Sequence, residues 1–294
     1  MPLPPLTGHE RVKTRLAGAH ASGKLPQALL LAGPRGVGKQ RLALWLAQLI
    51  HCEAPGSTQE PCGECRSCRL VLSLQHPDVH WFVPLELSKR GGGVDADKQV
   101  DLVADALAEE MAARREQPFY GPSAGLASHP VASVRLLLRR LVLTPAMGRK
   151  KVFIVGDAER LIPQLGTEVA ANALLKALEE PPADSFIIIT AADPNALLPT
   201  VLSRVVLVRV ARIADSDVTA FARSKAWELR TKLNWHNELQ LLKGLLASSL
   251  HHHRVVPGKR VLIKLGGLWR PRGCSRLGRC RFRRAEPSPT CSIR

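Results

Sequence analysis

Two groups of residues in this 294-residue chain carry chemistry by their type and spacing. The first is Gly33-Pro34-Arg35-Gly36-Val37-Gly38-Lys39-Gln40, a glycine-framed loop that ends on a lysine. Glycines let backbone N–H groups turn inward toward phosphate oxygens. A helix starting there adds partial positive charge, and the lysine reaches the outer phosphates of a nucleotide. Gly33, Gly36, Gly38, Lys39 and Gln40 are therefore candidate contacts for ATP or ADP. Position 40 departs from the pattern. A Ser or Thr hydroxyl belongs there as a ligand of Mg²⁺, and the residue is Gln40.

The second group is Cys52, Cys62, Cys65 and Cys68, spaced x₉, x₂ and x₂. Turns of that length bring successive sulfurs to one centre, and four thiolates complete a tetrahedral shell around Zn²⁺. Gly63 supplies the permissive backbone such a turn needs. With the shell filled and no acid poised beside it, the site reads as structural and not catalytic.

A phosphate loop that hydrolyses its nucleotide also needs two acids at the end of a neighbouring strand, one on Mg²⁺ and one on the attacking water. The strand that should carry them ends Val155-Gly156-Asp157-Ala158-Glu159. In one alignment Gly156 stands at the metal position and Asp157 at the base. In the other Asp157 holds the metal and Ala158 stands at the base. Either way one carboxylate is missing. Gln40 and Gly156 remove groups from the same cation, so the site reads as at most nucleotide-binding.

The elements that must position these groups are legible from periodicity. Ala28–Leu31 is an apolar strand running into the loop, and Leu42, Leu46, Leu49 and Ile50 mark a helix after it. Thr7-x-x-Glu10 has capping-box spacing ahead of a short helix carrying Val12 and Leu16. His76–Val83 reads as a turn into a second strand, Lys151–Asp157 as a third, Phe186–Thr190 as a fourth and Val205–Val210 as a fifth. Helices are expected at Asp97–Glu116, at Val134–Leu143 with Arg135, Arg139 and Arg140 on its solvated face, and at Glu168–Glu180, stopped by Pro181-Pro182. His80 and Trp81 read as packing. Strands alternating with helices at this spacing predict an α/β fold, a parallel sheet with helices on both faces.

The composition divides the chain. Of a net charge of +17, residues 1–222 hold 25 Lys/Arg against 22 Asp/Glu, and residues 223–294 hold 17 against 3. No long uncharged apolar run is present and no basic-then-apolar leader opens the chain, which predicts a soluble cytoplasmic protein without a membrane span.

Taken together, Ala170-Ala171-Asn172-Ala173-Leu174-Leu175-Lys176-Ala177-Leu178-Glu179-Glu180-Pro181-Pro182, the strand Phe186–Thr190, Leu202-Ser203-Arg204, and the cysteine module ahead of His76-Pro77-Asp78 resemble the AAA+ clamp-loader subunits of bacterial DNA polymerase III. Val205 stands where that family has a cysteine. The likeness covers about residues 7–210. Within the family, Gln40, Gly156 and His76–Trp81 resemble the delta-prime type, with degraded nucleotide motifs, more than the gamma and tau motor subunits. The resemblance implies a static member of a ring that, with gamma/tau and delta subunits, loads the sliding clamp on primed DNA. It also implies that Thr190 lies in a strand sensing nucleotide, and that Arg204 is an arginine finger offered to ATP on a neighbouring subunit.

The domain organisation expected is 1–210 for the P-loop domain, with the zinc module at 52–68 and an insertion at 84–130. A partial helical lid (211–250) and a basic tail (251–294) follow. After Val210 the family implies a lid and a helical collar, and the tail does not look like a collar. Residues 223–294 are either a nucleic-acid-binding extension or text translated in a shifted frame, and their Arg-, Gly-, Pro-, Ser- and Cys-rich composition with few acids fits the second better. An ATP-hydrolysing motor of the same family and a basic DNA-binding protein on a P-loop fold are the alternative functions.

Overall fold

The structure is a computed structural model that describes residues 3–4, 6–56, 59–86, 95–117, 127–161, 169–230, 269–274 and 280–284. It divides into two compact units, Met1–Trp235 and His236–Arg294.

In the first unit the apolar runs form the strands that the sequence predicts. These are β1 (Ala28–Ala32), β2 (Val79–Phe82), β3 (Lys151–Val155), β4 (Ser185–Ala191) and β5 (Val206–Arg209). They form one sheet in the order β2-β3-β4-β1-β5, with every adjacent pair parallel. All residues of β1 and β3 are buried, so both sheet faces are covered, as a parallel sheet requires. From β1 the chain crosses to β2 at one edge, returns through β3 to β4 beside β1, and exits to β5 on the other side. That reversal leaves a crevice at the carboxyl ends of the central strands, where open α/β sheets bind ligands.

The helices are α1 (Glu10–Ala21), α2 (Lys39–His51), α3 (Arg66–Leu72), α4 (Ala96–Glu116), α5 (Val131–Leu141), α6 (Val169–Glu179), α7 (Pro199–Leu202) and α8 (Asp215–Arg230). Helix α2 packs on β1, β3 and β4, and Leu42, Ala43, Leu46 and Ala47 on it have no solvent exposure. Its first turn therefore opens over the crevice. The insertion after β2 is tied at its base by the pairing of Leu85 with Ser128, and α4 seats Val100, Val103 and Leu107 in the core.

Three local expectations change. The cap of α1 is His9 in the left-handed region (φ 61°), with no side-chain cap, so Thr7 does not form the capping box. Instead His9 Nε2 lies 2.6 Å from the Val37 carbonyl and spans onto the glycine loop. Helix α5 ends at Leu141, leaving Val142 and Leu143 exposed, because Pro145 lies too close for another turn. Arg135 and Arg139 are exposed on α5 as expected, whereas Arg140 turns inward, its Nη1 3.4 Å from His80 Nδ1. His80 and Trp81 do pack: His80 lies on Phe153, ring centroids 5.0 Å apart, and Trp81 is buried.

In the second unit Trp269–Cys274 and Cys280–Arg284 pair antiparallel, although the sequence shows no strand period there. Cys280 and Phe282 alternate with Arg281 and Arg283, a period of two too short to stand out. Of the lid expected at 211–250, residues 231–250 lie outside the described residues. Among the described residues, no helix is long and apolar enough to cross a membrane.

Candidate phosphate loop, metal centre and displayed arginine

The glycine loop leaves β1 at the crevice. Gly33 N donates to the Ala191 carbonyl at 3.2 Å, and a Cβ on Gly33 would lie 2.1 Å from the Val210 carbonyl oxygen. Only glycine lets the chain leaving β5 pass there. Gly38 caps α2 with φ 88°, a conformation that favours glycine. Lys39 folds back, its Nζ donating to the carbonyls of Gly33 (2.8 Å) and Pro34 (2.9 Å). Burial lowers the pKa of this amine, against the pull of Asp157 and Glu159. Phosphate oxygens would compete with those two carbonyls for the same donors.

The ends of β3 and β4 form the floor. Asp157 follows β3 with φ 50°, and its N–H donates to Thr190 Oγ1 at 3.1 Å. Thr190 is wholly buried. The Glu159 carboxylate accepts from Ala192 N at 3.3 Å. A Cβ on Gly156 would lie 2.9 Å from Gln40 Nε2, so the Gln40 side chain covers the place an acid at 156 would use. The structure thus brings Gly33, Gly36, Gly38, Lys39, Gln40, Asp157 and Thr190 to one end of the sheet.

Two residues around Gln40 escaped the sequence reading. Arg114 Nη1 lies 3.4 Å from Gln40 Oε1, its Nε donates to Glu110 Oε1 at 2.8 Å, and its guanidinium sits 4.5 Å from the Trp81 ring centroid. The signal was present. Position 114 continues the apolar face of Val103, Leu107 and Met111, and an arginine there has to be held inside. His129 carries the other contact, its Nε2 2.7 Å from the Gly156 carbonyl oxygen. Burial pushes its pKa down to about 4, so the neutral ring donates. A lone histidine before Pro130 gave no warning of this.

Arg204 stands apart from the loop, beyond α7. Its Nε donates to Glu179 Oε1 at 2.7 Å, and its Nη1 to the Thr200 carbonyl at 2.7 Å and to Ser203 Oγ at 3.1 Å. It is therefore presented at the surface and fixed there by its own chain.

The four cysteines converge. The Sγ atoms of Cys52, Cys62, Cys65 and Cys68 all lie within 4.8 Å of one another, a group that could hold a metal ion. Backbone N–H groups are aimed at the sulfurs: Cys62 N at Cys52 Sγ (3.3 Å), Cys65 N at Cys62 Sγ (3.3 Å) and Cys68 N at Cys65 Sγ (3.4 Å). The N–H of Cys65 holds the Cys62 thiol down to about 7, and burial pushes Cys68 up. A metal bound here would have to displace the proton of Cys68, because the thiolate is the ligand. Glu53 accepts from Ser67 N and Oγ, pinning the first cysteine's segment to α3.

Asp78 explains the His-Pro-Asp segment. Its carboxylate accepts from the N–H groups of Ala146 (2.5 Å), Met147 (2.8 Å) and Gly148 (2.7 Å). Burial opposes its ionisation, and those three donors outweigh it, holding the carboxyl below the usual range. The residue anchors the loop ahead of β3 and has no need of chemistry.

A protein-family model described as DNA polymerase III, delta subunit, matches residues 8–214. The chain belongs to that family. Among individual proteins it is 32% identical over 199 residues to the DNA polymerase III subunit tau of Salmonella typhimurium, covering 68% of this chain and 24% of that one. It is 33% identical over 180 residues to the subunit delta' of Pseudomonas aeruginosa, covering 61% of this chain and 41% of that one. The chain therefore spans less than half the length of these relatives. A solved structure of a gamma subunit-related protein from Thermotoga maritima covers 82% of this chain and 57% of its own, at 19% identity and a TM-score of 0.42.

Proposed function

We propose that this chain is a delta-prime-type subunit of a DNA polymerase III clamp loader. It acts as a non-hydrolysing member of a ring with gamma/tau and delta subunits that places the sliding clamp on primed DNA in the cytoplasm. The observation that carries the reading is Gln40 lying over Gly156, within a chain of this family. Phosphoryl transfer depends on a cation bridging the phosphates, and the two residues that would hold it are an amide and a glycine. The same observation separates this reading from a gamma/tau-type motor, which identity to tau alone would equally favour.

In this reading Gly33, Gly36, Gly38, Lys39 and Gln40 cradle phosphates, Asp157 and Thr190 line the floor, and the nucleotide is ATP or ADP held without turnover. Arg204 is the catalytic contribution, a guanidinium supplied to ATP on the neighbouring subunit, where it neutralises charge on the transferring phosphoryl group. The four cysteines hold Zn²⁺ in a closed tetrahedral site that staples residues 52–68. Residues 211–230 begin a helical lid, and the basic tail is either a DNA-binding extension or a shifted-frame product.

Reconstitution tests it. The chain is expected to co-purify with gamma/tau and delta and to be required for DNA-dependent ATP hydrolysis. Lys39→Ala in this subunit should leave that turnover unchanged, and Arg204→Ala should depress it. Turnover by the isolated chain that rises with Mg²⁺ and vanishes in Lys39→Ala would assign it to the motor type instead.

A further inference from the structure

The position that a phosphate loop reserves for Mg²⁺ is filled from within. The Gln40 amide occupies the space beside Gly156, where a Cβ would lie 2.9 Å from Nε2 and 3.0 Å from Cδ. Behind the amide stands Arg114, only 4% exposed, with Nη1 3.4 Å from Gln40 Oε1. A guanidinium has no acceptor, so the amide must turn its oxygen to Arg114. The Nε2 protons are then the donors left at the cation position. The guanidinium is fixed on its other sides by Glu110 Oε1 and the Trp81 ring. A buried arginine keeps its charge, unlike a buried lysine. The residues here do not fit a divalent cation: the space beside Gly156 is taken by the Gln40 amide, neither Gln40 nor Gly156 offers it an anionic or hydroxyl ligand, and the Arg114 guanidinium, paired with Glu110, stands within hydrogen-bonding distance of the amide.

We propose that the Arg114–Gln40 pair is a built-in replacement for the metal, so that the loop takes the terminal phosphates of a nucleoside di- or triphosphate in their metal-free form. This rests on reading Gly33–Gln40 as a phosphate loop. Lys39 and the loop N–H groups supply the donors of an ordinary site. Gln40 Nε2 supplies one more where Mg²⁺ would be, polarised by the arginine bonded to its carbonyl. Magnesium does not assist binding, because its complex with the nucleotide brings a second cation against Arg114. The insertion that carries α4 thereby has a role at the loop: it delivers the charge that β3 and α2 no longer recruit from solution.

Calorimetric titration of the full chain with ADP, in EDTA and in excess Mg²⁺, tests this. The expected result is binding in EDTA at least as tight as in Mg²⁺. Arg114→Met should weaken the EDTA affinity tenfold or more, with Arg114→Lys intermediate. The pair Gln40→Thr with Gly156→Asp should not make binding Mg²⁺-dependent while Arg114 stays, and should do so once Arg114→Met is added. Wild-type affinity that rises tenfold with Mg²⁺ overturns the proposal and leaves the phosphate loop standing. So does unchanged EDTA affinity in an Arg114→Met chain whose circular dichroism is native. No binding of ADP or ATP in either buffer removes the phosphate-loop reading, and the proposal falls with it.

Discussion

Glu179, the last residue of α6, holds Arg204 by its side chain, with Arg204 Nε donating to Glu179 Oε1 at 2.7 Å. The pair lies at the surface, where such contacts are worth only about 0–1 kcal/mol. The arginine is therefore presented in a set direction yet can leave Glu179 at little cost for a phosphate oxygen. Arg204→Ala is expected to leave the unfolding midpoint of the chain within experimental error. ATP turnover of the assembled loader should fall roughly tenfold or more if Arg204 is the proposed finger, because a finger acts only on the transferring charge. Glu179→Ala should also leave stability nearly unchanged and give a smaller loss of turnover, since it frees the guanidinium without removing it. Unaltered turnover for Arg204→Ala in the complex would strip the residue of its role.

The cysteine cluster makes a stoichiometric prediction. Elemental analysis of purified protein should find about one zinc per chain, and Cys65→Ser should bring it close to zero. Cys65 both offers a sulfur and caps α3, its side chain accepting from Cys68 N. Its loss should therefore open the module locally, seen as faster hydrogen exchange over α3, while the sheet stays protected. A full complement of metal in Cys65→Ser would exclude the four-thiolate shell.

The strands, their order of appearance and the loop between β1 and α2 were legible because each is a local pattern. An apolar run, a glycine spacing and a periodic helix follow one another between Ala28 and Ile50. The four cysteines were legible for the same reason. Arg114 and His129 were not, because their partners Gln40 and Gly156 are distant in sequence, 74 residues for Arg114 and 27 for His129. No local rule reports such a contact. Arg114 left one trace, a charge on the buried stripe of α4. Asp78 was read as part of a motif without a task, since its partners are backbone N–H groups, which no sequence displays. The capping box failed because the glycine loop offered His9 a tertiary partner, the Val37 carbonyl, that local spacing cannot see.

Three histidines set an acid limit. His51, His80 and His129, ordinarily near 6.5, are each pushed down to about 4, chiefly by burial, at His51 also by the neighbouring His76 and at His80 by the neighbouring Arg140. Between those values the unfolded chain binds protons that the folded chain refuses. Stability is then full above about 6.5, falls as the pH drops toward 4, and changes little further from this source below it. The other groups facing His80 are Asp78, which favours its charged form, and Lys151 and His76, which oppose it. Urea midpoints at neutral pH and near pH 5 should differ clearly. His129→Gln, which keeps an N–H donor for the Gly156 carbonyl and does not titrate, should make the dependence shallower, His51 and His80 supplying the remainder. Equal pH slopes for wild type and His129→Gln would mean that this residue is not buried as a neutral donor.

Two glycines with opposite surroundings test how tightly the loop is built into the sheet. Gly18 lies on the exposed side of α1 with nothing within 4 Å of an added Cβ. Gly18→Ala is expected to stabilise the chain by roughly 0.5–1 kcal/mol through helix propensity. At Gly33 the added carbon would meet the Val210 carbonyl oxygen at 2.1 Å, and that oxygen belongs to backbone that cannot rotate away. Val210 N donates to Ala32 O at 2.7 Å, directly after the register pair Ala32 and Arg209. Relief would have to separate β1 from β5. Gly33→Ala should therefore cost about 3 kcal/mol, at the upper end for overpacking, measured as a lower urea midpoint at unchanged slope. The loss should fall on ADP affinity as well, since the strand that is pushed aside carries the first residue of the loop. A Gly33→Ala chain as stable as wild type would mean that the β5 exit does not cross the loop, and with it the geometry that places Lys39 and Gln40 over the crevice would fail.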